Sequence, residues 1–68
     1  MESDINKLSP DVRERVVSVA KQLNDDSQKT DEKKSVQVED ENQRYILAFE
    51  LVEDANGKLY VFDYFFPI

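Results

Sequence analysis

No cysteine and no histidine occurs among the 68 residues of this chain. Chains shorter than about 70–80 residues rarely obtain enough stability from one core, and usually add disulfides, a structural metal or self-association. Disulfides are impossible here, and a structural zinc would lack its usual ligands. The same absences exclude cysteine nucleophiles, Ser-His-Asp triads and imidazole general bases. We therefore expect a single small domain that is not an enzyme, needs no cofactor and associates with itself.

The net charge of the chain is −6, from 9 basic and 15 acidic residues. This balance opposes direct binding to nucleic acid, which depends on Lys and Arg, and favours a basic protein as partner. Residues 1–8 lack the pattern of a signal peptide. The longest apolar run, residues 45–49, is far shorter than the roughly 20 residues of a membrane helix. We expect a cytoplasmic protein that does not bind membranes.

A helix is predicted to begin at Ser9-Pro10-Asp11, which combines a capping serine, a proline in the first helical position and an acid near the positive end of the helix dipole. At about 100° per residue, its apolar positions form one stripe. That stripe consists of Leu8, Val12, Val16, Val19 and Leu23, with Ala20 on its flank. The pattern leaves residues 1–8 as a flexible segment and residues 24–34 as a polar connection.

The second half of the chain predicts an antiparallel sheet, and all the aromatic residues lie in it. Val36 and Val38 alternate with polar residues, as in a short half-buried strand. Residues 44–52 form the strongest strand pattern. Asn56-Gly57 follows and favours a two-residue type I′ turn, after which residues 58–66 return.

These turns predict which residues face the helix. A type I′ turn at Asn56-Gly57 places four pairs on one face, namely Leu51–Phe62, Phe49–Tyr64, Leu47–Phe66 and Tyr45–Ile68. We reject a bulged turn because it would put Asp63 opposite Phe49 in the core. A first turn around residues 40–43 adds Val38 opposite Tyr45 and Val36 opposite Leu47 to the same face. The predicted fold is α+β, with one N-terminal helix packed on a three-stranded antiparallel meander, α-β-β-β.

The opposite face of this sheet is the candidate functional surface. In the predicted register it exposes an apolar patch, while the last strand leaves a long aromatic edge that could accept another strand. Scattered surface apolar residues are the alternative interpretation. Glu50 would lie opposite Asp63, as solvated charges or, alternatively, as an acid/base pair. The candidate interface residues are Ile46, Val52, Val61, Phe65, Tyr60, Glu50 and Asp63.

Residues 43–51 and 58–67 resemble the second and third sheet strands of cystatin-like proteins, and the helix precedes them in the same order. The resemblance covers about two-thirds of the chain and implies a helix against a curved sheet. Cystatins inhibit papain-type proteases through an N-terminal glycine, a Gln-x-Val-x-Gly loop and a Pro-Trp loop. Here the first loop reads Val38-Glu39-Asp40-Glu41-Asn42 and Pro67 precedes Ile68, so the inhibitory residues are not carried over.

The sequence therefore leaves three functional hypotheses. The first is a non-catalytic protein-interaction module, homodimeric through the exposed sheet face or the edge strand. The second is an acidic neutraliser of a basic nucleic-acid-binding protein or toxin, which the net charge of −6 favours. The third is a cystatin-like protease inhibitor.

Overall fold

The computed structural model describes residues 2–26 and 28–68. A short 3-10 helix, Ile5–Lys7, precedes helix α1, Pro10–Asp25. Three strands follow, β1 (Lys33–Asp40), β2 (Gln43–Asp54) and β3 (Gly57–Pro67), and they form one antiparallel sheet in the order β1-β2-β3. The predicted α+β fold, one helix followed by a three-stranded meander, is confirmed.

Helix α1 begins as its sequence predicts. The Ser9 hydroxyl accepts a hydrogen bond from the Val12 N–H at 3.3 Å, and Pro10 occupies the first helical position. Val12 and Val16 are buried against the sheet. Burying a valine side chain contributes about 1.5–3 kcal/mol, which offsets the weak helix propensity of β-branched residues. Packing on the sheet therefore holds this helix.

The core lies between α1 and one face of the sheet, called here the inner face. Edge-to-face ring pairs link its strands, Phe49 with Phe62 at 5.8 Å and Tyr45 with Phe65 at 5.9 Å between ring centroids. Such pairs stabilise by about 0.5–1.5 kcal/mol beyond the area they bury. The buried cluster is Leu8, Val12, Val16, Val38, Leu47, Phe49, Tyr60 and Phe65.

The register of the first hairpin is as predicted. Val38 lies opposite Tyr45, Val36 opposite Leu47, and Lys33 opposite Glu50. The pairs Val38–Tyr45 and Val36–Leu47 both place apolar side chains on the inner face. The alternation of Val36 and Val38 with polar residues was therefore enough to predict this register.

The predicted register of the second hairpin is wrong. Asp54 pairs with Gly57 across Ala55-Asn56, and Leu51 lies opposite Tyr60 rather than Phe62. Gly57 has φ +116°, whereas Asn56 has no positive φ, so the type I′ turn is absent. The Asp54 carboxylate accepts the Asn56 N–H at 2.8 Å. This side-chain hydrogen bond stabilises a turn whose two central residues are Ala55 and Asn56. Gly57, which has the positive φ, follows them instead of being one of them.

A register shift between Ala48 and Phe49 changes the remainder of β3. Phe62 lies opposite Phe49 and Tyr64 opposite Ala48, so Asp63 is an extra residue, as in a β-bulge. Beyond it, Phe65 lies opposite Leu47 on the inner face. Without the bulge Tyr64 would take that place, and its buried hydroxyl would need a partner. Phe65 fills the same space without a polar atom.

The segments predicted as flexible or connecting are partly built into the fold. Leu8 is buried in the core, and Glu2 forms an antiparallel bridge to Phe65. Helix α1 extends to Asp25 and β1 begins at Lys33, so the connection is shorter than residues 24–34. Met1 and Ser27, which belong to these two segments, lie outside the described residues. No helix in the part of the chain described here is long and apolar enough to cross a membrane.

Candidate protein-interaction surface

The sheet face turned away from α1, called here the outer face, carries five clustered apolar residues. Residues directly opposite on neighbouring strands share a face, and Ile46 lies opposite Phe66 while Ala48 lies opposite Tyr64. The Tyr64 and Phe66 rings stack with centroids 6.2 Å apart. We define the outer patch as Ile46, Ala48, Val61, Tyr64 and Phe66.

The surroundings of the outer patch are polar on one side and apolar on another. Ser35 and Gln37 lie opposite Ala48 and Ile46, so β1 gives the patch a polar border. Toward the second turn, Val52 lies opposite Leu59, and both are exposed. The patch therefore combines an apolar centre with a polar border, the usual anatomy of a protein interface.

The charged residues on the outer face are nearly balanced. Alternation along β1 and β2 places five charged residues on this face, Lys33, Glu39, Arg44, Glu50 and Asp54. In register, Lys33 faces Glu50 and Glu39 faces Arg44, so Asp54 remains without an opposite charge on the facing strand. These five residues leave the face with one excess negative charge.

Four of the seven predicted interface residues, Ile46, Glu50, Val52 and Val61, lie on the outer face. The predicted exposure of Phe65 is wrong, because the bulge turns it inward and leaves it 6% exposed. Tyr64 and Phe66, predicted for the core, take its place outside. Three consecutive aromatic residues cannot all obey a two-residue alternation, and this run was the signal for a bulge.

The predicted opposition of Glu50 and Asp63 is also wrong. Glu50 lies opposite Val61, and Asp63 is the extra residue of the bulge. The acid/base hypothesis depended on two carboxylates facing each other, and that arrangement does not occur.

Tyr60, predicted to belong to the exposed edge of β3, is buried instead. Its hydroxyl donates to the Asp31 carbonyl at 2.7 Å. Its backbone N–H donates to Asn24 Oδ1 at 2.7 Å, and its carbonyl accepts from Asn24 Nδ2 at 3.1 Å. The Asn24 amide therefore satisfies both outward backbone groups of Tyr60 as a neighbouring strand would.

A second point of the β3 edge is covered by the N-terminal segment. The Glu2 N–H donates to the Phe65 carbonyl at 2.9 Å, and the Phe65 N–H donates to the Glu2 carbonyl at 2.7 Å. The Lys7 ammonium lies 2.8 Å from the Glu2 carboxylate. Its hydrogen bond lowers the pKa of Glu2, and Glu2 in turn raises the pKa of Lys7. These two caps, together with Pro67, which has no N–H, interrupt the edge as a template for another strand.

The opposite edge of the sheet is open. The Leu51 N–H donates to the Glu32 carbonyl at 2.8 Å, so Glu32 and every second residue after it turn their backbone groups toward β2. The intervening residues turn their N–H and carbonyl groups outward. No hydrogen bond from residues 2–26 or 28–68 covers these groups. We define the β1 edge as the outward backbone of Lys33, Ser35, Gln37 and Glu39.

A cleft in the described part of the chain is open to solvent. Its lining is mainly polar and lies where β2 and β3 approach the second turn; it consists of Thr30, Glu32, Leu51, Val52, Glu53 and Lys58. Small-molecule sites are usually enclosed and mostly apolar, and this cleft is neither. The outer patch and the β1 edge are therefore better candidates for recognition than this cleft.

No protein family matches the chain, and comparisons with curated proteins and with solved structures give no match either.

Proposed function

We propose that this protein is a small, non-catalytic protein-binding module whose outer patch binds a basic partner protein. The observation that supports this most is the Tyr64–Phe66 stack on the sheet face that α1 does not cover. Aromatic residues contribute much of the energy of protein interfaces, because they bury a large area at a small entropic cost. Absence of cysteine favours a reducing compartment such as the cytoplasm for this interaction.

Charge favours a different protein, rather than a second copy, as the occupant of the outer patch. Packing two outer faces together would bring Asp54 of each copy, which has no opposite charge on its facing strand, into one poorly hydrated interface. Like charges brought together in this way are unfavourable, whereas a partner with Lys or Arg around an apolar site is complementary. With a net charge of −6 the chain would also attract such a partner from a distance. A basic nucleic-acid-binding protein or a basic toxin has this chemistry.

The proposal is tested with two matched substitutions. Val61→Asp places a charge in the outer patch, and Val17→Asp makes the same change on α1, where Val17 is 68% exposed. Each tagged protein is used to capture partners from native extract, after circular dichroism has verified its fold. A basic protein retained in stoichiometric amount by wild type and by Val17→Asp, but bound roughly tenfold or more weakly by Val61→Asp, is the expected result.

The second measurement is the dependence of the binding affinity on salt concentration. The affinity for the captured protein should fall as ionic strength rises, since the attraction between opposite charges is screened. An identical set of proteins captured by wild type and Val61→Asp, or an affinity for the captured protein that is indifferent to salt, would contradict the proposal.

A further inference from the structure

We propose that the β1 edge pairs with the β1 edge of a second copy, in antiparallel orientation and with Val36 opposite Val36 of the partner subunit. This association uses the rim of the sheet and is independent of the outer patch. Two observations point to it: the outward backbone groups of β1 have no hydrogen-bond partner in the described residues, and the charge pattern of β1 is complementary to itself.

The charges of β1 are divided between its ends. The strand begins with Lys33 and Lys34 and ends with Glu39 and Asp40. An antiparallel copy brings the basic end of one strand against the acidic end of the other. The segment is electrically balanced, although the whole chain carries −6, so self-pairing here avoids the repulsion expected elsewhere.

The register follows from the direction of the backbone groups. Only residues of the β1 edge can exchange hydrogen bonds with the partner, so they must lie opposite one another. With Val36 on the two-fold axis, Lys33 lies opposite Glu39 of the partner subunit and Ser35 opposite Gln37 of the partner subunit. Opposite charges on facing strand positions stabilise an antiparallel pair.

Neighbouring registers lack the pairing of Lys33 with Glu39. A shift that puts Gln37 opposite Gln37 of the partner subunit brings Lys34 opposite Asp40 of the partner subunit, but these two side chains already bind Asp31 and Ser9 of their own chain. The opposite shift brings Glu39 against Asp31 of the partner subunit, which are both acidic. The register centred on Val36 is therefore the one that pairs oppositely charged side chains that form no ion pair within the described part of their own chain.

Capping of β3 explains why this association would stop at two copies. Asn24 and Glu2 cover the outward groups of Tyr60 and Phe65, so the β3 edge is blocked at two points whereas no such cap interrupts the described β1 edge. An edge that pairs with its own copy closes around a two-fold axis. The product is one continuous sheet, β3-β2-β1 joined to β1-β2-β3, with caps at two points on each of its outer edges.

The first test removes one outward N–H. Gln37→Pro deletes a donor that faces away from β2, where proline is tolerated on an edge strand, and Gln37→Ala is the matched control. Sedimentation equilibrium of the full chain from about 1 μM to 1 mM should show a dimer for wild type and Gln37→Ala. The dimer of Gln37→Pro should be weaker by roughly tenfold or more, because two intersubunit hydrogen bonds are lost. Circular dichroism establishes that each variant is folded.

The second test uses charge reversal and does not depend on proline. Lys33→Glu and Glu39→Lys should each weaken self-association by roughly tenfold, because both charge pairs become repulsive. An equimolar mixture of the two variants should form a heterodimer, since each residue 33 then meets an opposite charge at residue 39 of the other chain. Native mass spectrometry measures the heterodimer directly.

A wild-type chain that stays monomeric throughout that concentration range would overturn the proposal. A dimer that Gln37→Pro leaves unchanged while Val61→Asp disrupts it would also overturn it, and would assign self-association to the outer patch instead. Failure of the mixed variants to prefer the heterodimer would contradict the register centred on Val36.

Discussion

Asn24 shows how much one side chain can decide in a chain of this size. It lies in the last turn of α1, and its amide bonds both outward backbone groups of Tyr60. Asparagine is suited to this because it carries one acceptor and two donors on a planar group, as a peptide does. The end of the helix is thereby hydrogen-bonded to the edge of the sheet, and the backbone groups of Tyr60 need no further strand.

Replacing this amide should destabilise the domain and open its edge. Asn24→Ala should lower the free energy of unfolding by about 1–3 kcal/mol, because the N–H and carbonyl of the buried Tyr60 lose their partners. Urea denaturation measures the loss. The free energy of unfolding of Asn24→Asp should lie between those of wild type and Asn24→Ala, since a carboxylate can accept from the N–H but cannot donate to the carbonyl. Equal stability of Asn24→Ala and wild type would show that water replaces the amide at no cost.

At the scale of elements, the bulge in β3 decides which aromatic residues belong to the core. Phe65 is 6% exposed on the inner face and its neighbour Phe66 is 36% exposed on the outer face. In the unbulged register that the turn sequence suggested, these two roles are reversed. The same pair of residues thus separates the two registers experimentally.

The pair makes a matched prediction. Phe65→Ala should destabilise the domain by about 3–5 kcal/mol, enough to unfold most of a protein of this size. Phe66→Ala should change the free energy of unfolding by less than about 1 kcal/mol, because its ring is partly in solvent. Thermal unfolding followed by circular dichroism distinguishes them. If Phe66→Ala were instead the more destabilising of the two, the unbulged register would be the correct one.

Helix α1 ends in a way that its dipole disfavours. Asp25 stands at the negative end of the dipole, and no basic residue lies in the last turn. Asp25→Lys should stabilise the domain by about 0.3–1 kcal/mol. Glu14→Lys makes the same change of charge in the second turn of the helix, away from its C-terminus, and separates the dipole effect from relief of the overall negative charge. If urea denaturation shows the same increase in the free energy of unfolding for both variants, net charge rather than the dipole is responsible.

On the scale of the whole molecule, the two ends of the chain are held together. Glu2 bridges to Phe65 in the last strand, and the Lys7 ammonium holds the Glu2 carboxylate. Leu8 then enters the core between these contacts and α1. The N-terminal segment is thereby part of the sheet edge rather than a separate tail.

This closure should depend on pH. The pKa of Glu2 is lowered in the folded protein, mainly by the hydrogen bond from Lys7. The ion pair therefore contributes at pH values above the ordinary glutamate pKa and is lost as the pH falls through the lowered value. An NMR titration should find a midpoint for Glu2 below the ordinary glutamate value. In Lys7→Gln the midpoint of Glu2 should rise toward the ordinary value, and an unchanged midpoint would show that Lys7 does not hold it.

Local sequence determined much of this protein. Ser9 and Pro10 start the helix, and the valine stripe selects its buried side, because each depends on residues within a few turns. Val36 and Val38 sufficed for the first hairpin, since a strand with one buried face tolerates no slip. Composition alone excluded disulfides and histidine chemistry.

Only the tertiary structure decided what the sheet offers to other molecules. Ala55-Asn56-Gly57 is compatible with more than one turn, so local sequence could not choose the register of β3. That choice depended on which aromatic side chain fills the space between Leu47 and the helix, and the bulge admits Phe65 there. Asn24 and Glu2 cap an edge that is remote from them in sequence. Such contacts exist only after the chain has packed, which is why the open edge proved to be β1 and the outer aromatic residues Tyr64 and Phe66.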